Sequence, residues 1–433
     1  MAMRKPVPPS VASEGGDARR RLLALRFDAV RARTATLAAP IDAEDAMVQS
    51  MDDASPTKWH LAHTTWFFER FVLADAPGYR AFDPAWDYLF NSYYQGVGPM
   101  QARPQRGLLS RPTLSQVLDY RDAIEMRMRE RLQHGDLDAH LLDILELGLQ
   151  HEQQHQELLL TDIQHAFWRN PLHPAYRDDL PQARGGATGL RWIARPESIA
   201  GIGHAAWPGH DGFAYDNESP RHRVLVPAHA LASRPVSNAE FRAFIADGGY
   251  RTAGLWLSAG WDVVRARGWT RPLYWDEDCT RAFSLGGWRT LDPDAPVCHL
   301  SYYEADAFAR WAGARLPTEF EWEQAAHTLP VEGNFVDSGL LQPCAASTAS
   351  TGLQQMFGDV WEWTSSAYTA YPGYRPWPGT LGEYNGKFMD AQWVLRGGSC
   401  ATSADHARAS YRNFFPSDAR WQFAGLRLAK DSA

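Results

Sequence analysis

The sequence predicts an α plus α+β protein, with an N-terminal four-helix bundle followed by a loop-rich α+β domain. Three observations lead there. Apolar residues recur at helical spacing from about Ala18 to Trp168. A linker pattern then interrupts them, with Pro171, Pro174, Pro181, Gly185, Gly186 and Gly189 in quick succession. Beyond it, short strand-like pieces alternate with Gly, Pro and Trp. The expected division is a bundle over 18–172, a linker over 173–189 and a second domain over 190–430.

Within the bundle, the first helix is expected over Ala18–Leu37, where Leu22, Leu23, Leu25, Phe27 and Val30 are spaced for a helix. Pro56 precedes a second over Trp59–Leu73, with Ser55 or Thr57 as cap. Pro112 introduces a third over Thr113–Gln133, and Leu141–Phe167 is the fourth, with only Gly148 against it. Long helices joined by loops suggest an antiparallel bundle. The connection Tyr79–Pro112, rich in Tyr, Arg and Gly, is too long for a simple turn and reads as functional. In the second domain, strands are expected at Arg223–Val226, Trp393–Leu395 and Gly425–Leu428. Helices are expected at Asn238–Asp247, capped by Ser237 or Asn238, and at Tyr303–Trp311.

A net charge of -8 argues against nucleic acid as the main partner. The basic residues are nearly all arginine, with lysine only at Lys5, Lys58, Lys387 and Lys430. No apolar run is long enough for a membrane span, and Met1–Arg20 has no apolar signal-peptide core, so a cytoplasmic protein is expected. Cys279, Cys298, Cys344 and Cys400 lack CxxC spacing and read as reduced thiols.

The fourth helix carries His151-Glu152-Gln153-Gln154-His155. Histidines at i and i+4 share a helical face, so both imidazoles can reach one cation. The string has the H-E-x-x-H form of zinc hydrolases, in which Glu152 would be the general base. The extended form of that motif is absent, because Leu158 stands where its glycine would be. A third ligand is available upstream in Trp59-His60-Leu61-Ala62-His63, from either His60 or His63. Three neutral imidazoles suit zinc for hydrolysis or ferrous iron for oxygen chemistry, and spacing leaves both open.

The strings Trp59-His60-Leu61-Ala62-His63, Asn91-Ser92-Tyr93-Tyr94 and His151-Glu152-Gln153-Gln154-His155 resemble the DinB-like bundle of ergothioneine-biosynthesis sulfoxide synthases. The second half resembles the formylglycine-generating-enzyme fold, related to C-type lectins. It does so at Asp216-Asn217-Glu218, Arg315-Leu316-Pro317-Thr318-Glu319, Gly358-Asp359-Val360-Trp361-Glu362-Trp363, Leu395-Arg396-Gly397-Gly398-Ser399 and Phe423-Ala424-Gly425-Leu426-Arg427. The resemblance implies an enzyme that uses Fe(II) and O₂ to join a chalcogen donor to hercynine (Nα-trimethylhistidine). It implies His63, His151 and His155 as iron ligands, His60 as their neighbour and Gln154 near the substrate imidazole. Phe414 and Phe415 would face the quaternary ammonium by cation–π attraction, and Asn413 the carboxylate. Tyr93 and Tyr94 match active-site tyrosines; in a strand-like stretch they would point to opposite faces. Arg103 and Arg106 are candidates for an anionic group of the donor, or are structural. Formylglycine-generating activity itself is not expected, because Ser410–Arg427 contains no cysteine.

Two stretches depart from relatives that use cysteine. Met100-Gln101 stand where Arg-His is usual, and Asp390-Ala391 where Cys-Asn is usual. Lost charge beside the donor would suit a neutral selenosugar, as in selenoneine synthase. The donor is therefore expected to be a thiol such as cysteine or a selenosugar.

Overall fold

The computed structural model describes residues 11–134, 137–182, 186, 188–208, 212–348, 351–383 and 385–432. Of the expected linker, residues 183–185 and 187 lie outside the described residues. The chain forms two compact units. The first comprises the described residues up to Ser92 together with Val97–Leu159, and the second comprises Tyr93–Gly96 with Leu160 onward.

The first unit is helical: α1 Val11–Ala38, α2 Thr57–Phe68, α3 Trp86–Phe90, α4 Leu114–His134 and α5 Ala139–Arg169, which continues into the second unit. Helix α1 buries Leu23, Phe27 and Val30, while Leu22 and Leu25 are exposed on its other side. Every residue of α2 is buried, which places it centrally. No side chain caps α2: Pro56 takes the N-cap position, and Ser55 instead accepts a hydrogen bond from Arg106. The expected helix over Trp59–Leu73 ends in a wider π turn at Glu69–Leu73. Glu69, which opens that turn, accepts hydrogen bonds from the Tyr79 and Tyr120 hydroxyls and the Phe82 amide.

A glycine inside a helix costs about 1 kcal/mol relative to alanine, and Gly148 in α5 has a packing reason. A Cβ there would lie 2.6 Å from Phe68 Cε1 and 2.8 Å from Phe67 Cε1. Gly148 thus lets α2 approach the turn of α5 that precedes His151.

Behind this contact sits a buried ionic cluster that ties four helices together. Glu152 of α5 accepts from Arg31 Nη1 at 3.0 Å, Thr34 Oγ1 at 2.7 Å and Arg121 Nη2 at 3.3 Å. Arg31 also donates to Thr65 Oγ1 of α2 and to Glu125 of α4. Burial alone would raise the Glu152 carboxyl, but Arg31 and Arg121 outweigh it and hold the group below its ordinary range.

The second unit has strands β1 Trp192–Arg195, β2 Ser198–Ile202, β3 His222–Val226, β4 His229–Ala232, β5 Arg281–Ser284, β6 Gly287–Thr290, β7 Trp361–Ala367, β8 Gln392–Arg396, β9 Asn413–Pro416, β10 Ala424–Leu426 and β11 Ala429–Asp431. They make a three-stranded sheet β1-β4-β11, a four-stranded sheet β10-β7-β8-β9 in which only β10 and β7 are parallel, and two hairpins. Its helices are α6 Asn238–Ala246, α7 Ser258–Arg267, α8 Tyr302–Trp311 and α9 Glu319–Ala326. Ser237, Ser301 and Thr318 cap α6, α8 and α9 in reciprocal boxes with Glu240, Glu304 and Glu321.

The strings by which this half was recognised are the parts of its buried ion pairs. Glu218 is held by Arg408, Glu319 by Arg396 and Arg412, and Glu362 by Arg427. These residues brace loops around a small sheet; they are architecture rather than chemistry. Among the described residues no disulfide forms, and no helix is long and apolar enough to cross a membrane.

Two outcomes are expected. Arg427→Met leaves Glu362 buried without its partner and should lower unfolding free energy by about 3–5 kcal/mol in urea titration. Burial opposes ionisation of Glu319, yet Arg412 and Arg396 hold its folded-state value below the ordinary one. Its contribution is therefore complete above the unfolded glutamate range and lost as pH falls through the folded value. Glu319→Gln should flatten that acid limb of the stability curve.

Candidate metal centre

Three histidines converge inside the first unit. His63 comes from α2 and His151 and His155 from α5, and one ligand nitrogen from each lies within 4.8 Å of the others. All three are buried. The His63 and His151 Nε2 atoms face each other at 3.1 Å.

The outer nitrogens explain why the inner ones point inward. His63 Nδ1 lies 2.6 Å from the Phe90 carbonyl, so it carries the proton and leaves Nε2 a lone pair. His155 Nδ1 meets His60 Nδ1 at 2.9 Å, which orients His155 with Nε2 available. His60 is thus a neighbour of His155 and lies outside the converging set. Burial, followed by the neighbouring imidazoles, pushes His63 and His155 well below the ordinary histidine value, and burial takes His151 down to about 3. Neutral imidazoles aimed at one point are what a divalent metal requires, so the residues fit a metal ion.

Among the described residues no carboxylate completes this set. Glu152 follows His151 by one residue, about 100° round the helix, and both of its oxygens accept bonds from Arg31, Thr34 and Arg121. The hydrolase reading needs Glu152 as a base beside the metal. The structure makes it the counter-ion of two arginines instead.

His63 is also clamped. Trp59, His63 and Trp66 stand at i, i+4 and i+7 on α2. His63 stacks on Trp59 at 4.5 Å and 13°, and on Trp66 at 5.6 Å and 15°. The two indoles hold the plane of the imidazole while Phe90 fixes its rotation. The Trp-x-x-x-His-x-x-Trp spacing was visible in the sequence, but its purpose required knowing that these faces stack. Gln154, three residues after His151, is half-buried on the same helix.

Arg103 and Arg106 separate. Arg103 is exposed, whereas Arg106 is buried with its fork on Ser55 Oγ at 2.8 Å and Ser92 Oγ at 2.9 Å. Its guanidinium carbon lies 3.4 Å from the centre of the Trp59 ring. This favours the structural alternative for Arg106.

In the second unit, Tyr93 and Tyr94 are not in a strand. Tyr93 occupies a bend and a turn follows, because no neighbouring strand pairs with this stretch. Their rings therefore lie together, 5.3 Å apart and tilted by 48°, rather than on opposite faces. Tyr94 is fully buried and Tyr93 partly. Tyr93 meets Phe388 edge-on at 5.8 Å, and Lys387 donates to the Tyr93 carbonyl. Neither Lys387 nor Phe388 was singled out from sequence.

Phe414 and Phe415 do lie in a strand, β9, so they face opposite sides of the sheet. Phe414 stacks on Tyr368 at 4.1 Å and lies 5.9 Å from Phe388, while Phe415 packs on Trp421. A single cation pocket can use one of them, and Phe414 is the one in the aromatic row with Phe388. The Asn413 Oδ1 atom accepts from the Phe414 amide at 2.9 Å.

Comparison with known proteins agrees with this division. The DinB superfamily model matches residues 26–159, and the sulfatase-modifying factor enzyme 1-like domain matches residues 202–351 and 337–432. The hercynine oxygenase of Mycolicibacterium thermoresistibile is 34% identical over 90% of this chain and 91% of its own. The hercynine oxygenase of Mycobacterium tuberculosis is 32% identical over 94% of this chain and 98% of its own. A formylglycine-generating enzyme from Streptomyces coelicolor is 29% identical over 51% of this chain and 84% of its own.

Glu152→Gln leaves Arg31 and Arg121 without their carboxylate. It should lower stability by about 3–5 kcal/mol while metal titration stays within a few-fold of wild type. His151→Ala should abolish metal binding. Gly148→Ala should both destabilise the bundle and weaken metal binding, since Phe67 and Phe68 must retreat from α5.

Proposed function

The chain belongs to the hercynine oxygenase family of ergothioneine-biosynthesis sulfoxide synthases, and we propose the following reaction from that premise. The protein is a non-haem Fe(II), O₂-dependent oxygenase that joins a chalcogen donor to C2 of the hercynine imidazole. The carrying observation is the buried set of three neutral imidazoles without a carboxylate. His63, His151 and His155 hold the iron, which when bound supplies the one-electron chemistry that activates O₂. With a thiol donor, the C2–H and S–H bonds break, a C–S bond forms, and O₂ provides the sulfoxide oxygen and that of the water released.

The chain's own residues bind and orient. Phe414 faces the trimethylammonium group, Asn413 the carboxylate and Gln154 the substrate imidazole; Phe415, on the other side of β9, supports the strand. The hydroxyl of Tyr93 or Tyr94 relays a proton to the oxygen being reduced and regains one from those released at C2 and the thiol. On the donor side Arg103 is exposed for an anionic group, whereas the Arg106 fork is engaged by two serines. Together with the neutral Met100-Gln101, this favours a donor with little negative charge, and a selenosugar satisfies that description as well as cysteine does.

The test is a donor comparison by mass spectrometry. Protein loaded with Fe(II) in air should convert hercynine to a C2-substituted product with cysteine, γ-glutamylcysteine or a selenosugar. Product from γ-glutamylcysteine alone would overturn the low-charge donor, and no product from any donor would overturn the reaction. His155→Ala should abolish turnover.

A further inference from the structure

The sequence offers Arg106 as an anion-binding residue, but its surroundings suit another task. It lies in the 3₁₀ turn Arg103–Leu108, and its fork reaches Ser55, just before α2, and Ser92, at the start of the tyrosine stretch. Between those anchors its flat face covers one side of Trp59 at 3.4 Å. The Trp59 ring is further fixed by Nε1–H donating to the Leu89 carbonyl at 3.2 Å. Its other face stacks on His63 at 4.5 Å, and the Nδ1 atom of His63 is held by Phe90, the next residue after Leu89. Arg106, Trp59, His63 and Trp66 thus form one continuous stack.

We propose that Arg106 is a positioning residue for the metal, acting through Trp59 to fix the plane of the ligand His63. This rests on the reading of His63 as a metal ligand. The order of the stack gives the reason. A cation over an indole face is held by the ring quadrupole and excludes water from that face. The indole then has one resting position, and the imidazole beneath it has one tilt. Lysine would keep the charge but lose the planar fork that spans both serines. The same fork couples the metal ligand to Ser92, next to Tyr93 in sequence.

Outer groups that orient metal ligands typically alter metal affinity by about 10- to 100-fold when removed. The experiment titrates full-length wild type, R106Q, R106K and S92A with Co(II) and reads affinity and the d–d absorption bands. It also measures KM and kcat for the donor with Fe(II). R106Q should bind Co(II) about 10- to 100-fold more weakly with shifted bands. R106K should recover only part of the affinity. S92A, which removes one hydrogen bond, should weaken binding by about fivefold and keeps the test decisive if R106Q does not fold. Unchanged affinity and bands, with a raised donor KM, would overturn the proposal and return Arg106 to donor binding. Wild-type binding that His63→Ala leaves intact would instead overturn the ligand assignment beneath it.

Discussion

A fully buried carboxylate fixes the geometry of the bundle. Glu152 is charged inside a helical core, and desolvation of that charge is tolerable only while Arg31 and Arg121 stay within hydrogen-bond reach. Arg31 extends the constraint to α2 through Thr65 and to α4 through Glu125. These contacts determine the rotation of α5 about its own axis. With Glu152 facing α1 and α4, His151 and His155 must face α2. The placement of the candidate ligands therefore follows from where a neighbouring charge is neutralised, and Gly148 then permits the close approach.

The same logic divides the H-E-x-x-H string into two functions. In a metallohydrolase the glutamate and the histidines act on the same water. Here the i+1 position is turned towards the arginines, so the histidines can hold a metal while the glutamate serves the fold. Identical letters carry different chemistry because the neighbouring helices differ.

Much of this was legible from residues alone. Helical spacing gave the bundle and the i, i+4 histidines gave two of the three converging imidazoles, and the expected Ser237 cap is present, whereas α9 and its Thr318 cap were not read from the sequence. The second unit's recognition strings were visible too, although only their pairing as Glu218–Arg408, Glu319–Arg396 and Glu362–Arg427 shows that they hold loops in place. What escaped the sequence depends on contacts between residues far apart in the chain. Strand alternation misled at Tyr93-Tyr94, since no partner strand exists to enforce it. It does hold at Phe414-Phe415, where β8 pairs with β9. The task of Arg106 was hidden because an arginine on a Gly- and Pro-rich loop looks solvent-facing until Ser55, Ser92 and Trp59 are placed around it.

The two ends of the chemistry are built to different standards of rigidity. On the candidate metal side, two of the three histidines have a named constraint: His63 has two indoles and the Phe90 carbonyl, and His155 has His60. The candidate donor residues Tyr93 and Arg103 instead sit in a bend and in a 3₁₀ turn, with Tyr93 partly buried and Arg103 exposed. Under the proposed function, the donor change falls at Met100-Gln101 and Asp390-Ala391, outside every helix and strand. Neither pair contributes to the ion-paired cluster of Glu152, Arg31 and Arg121 or to the set of three histidines.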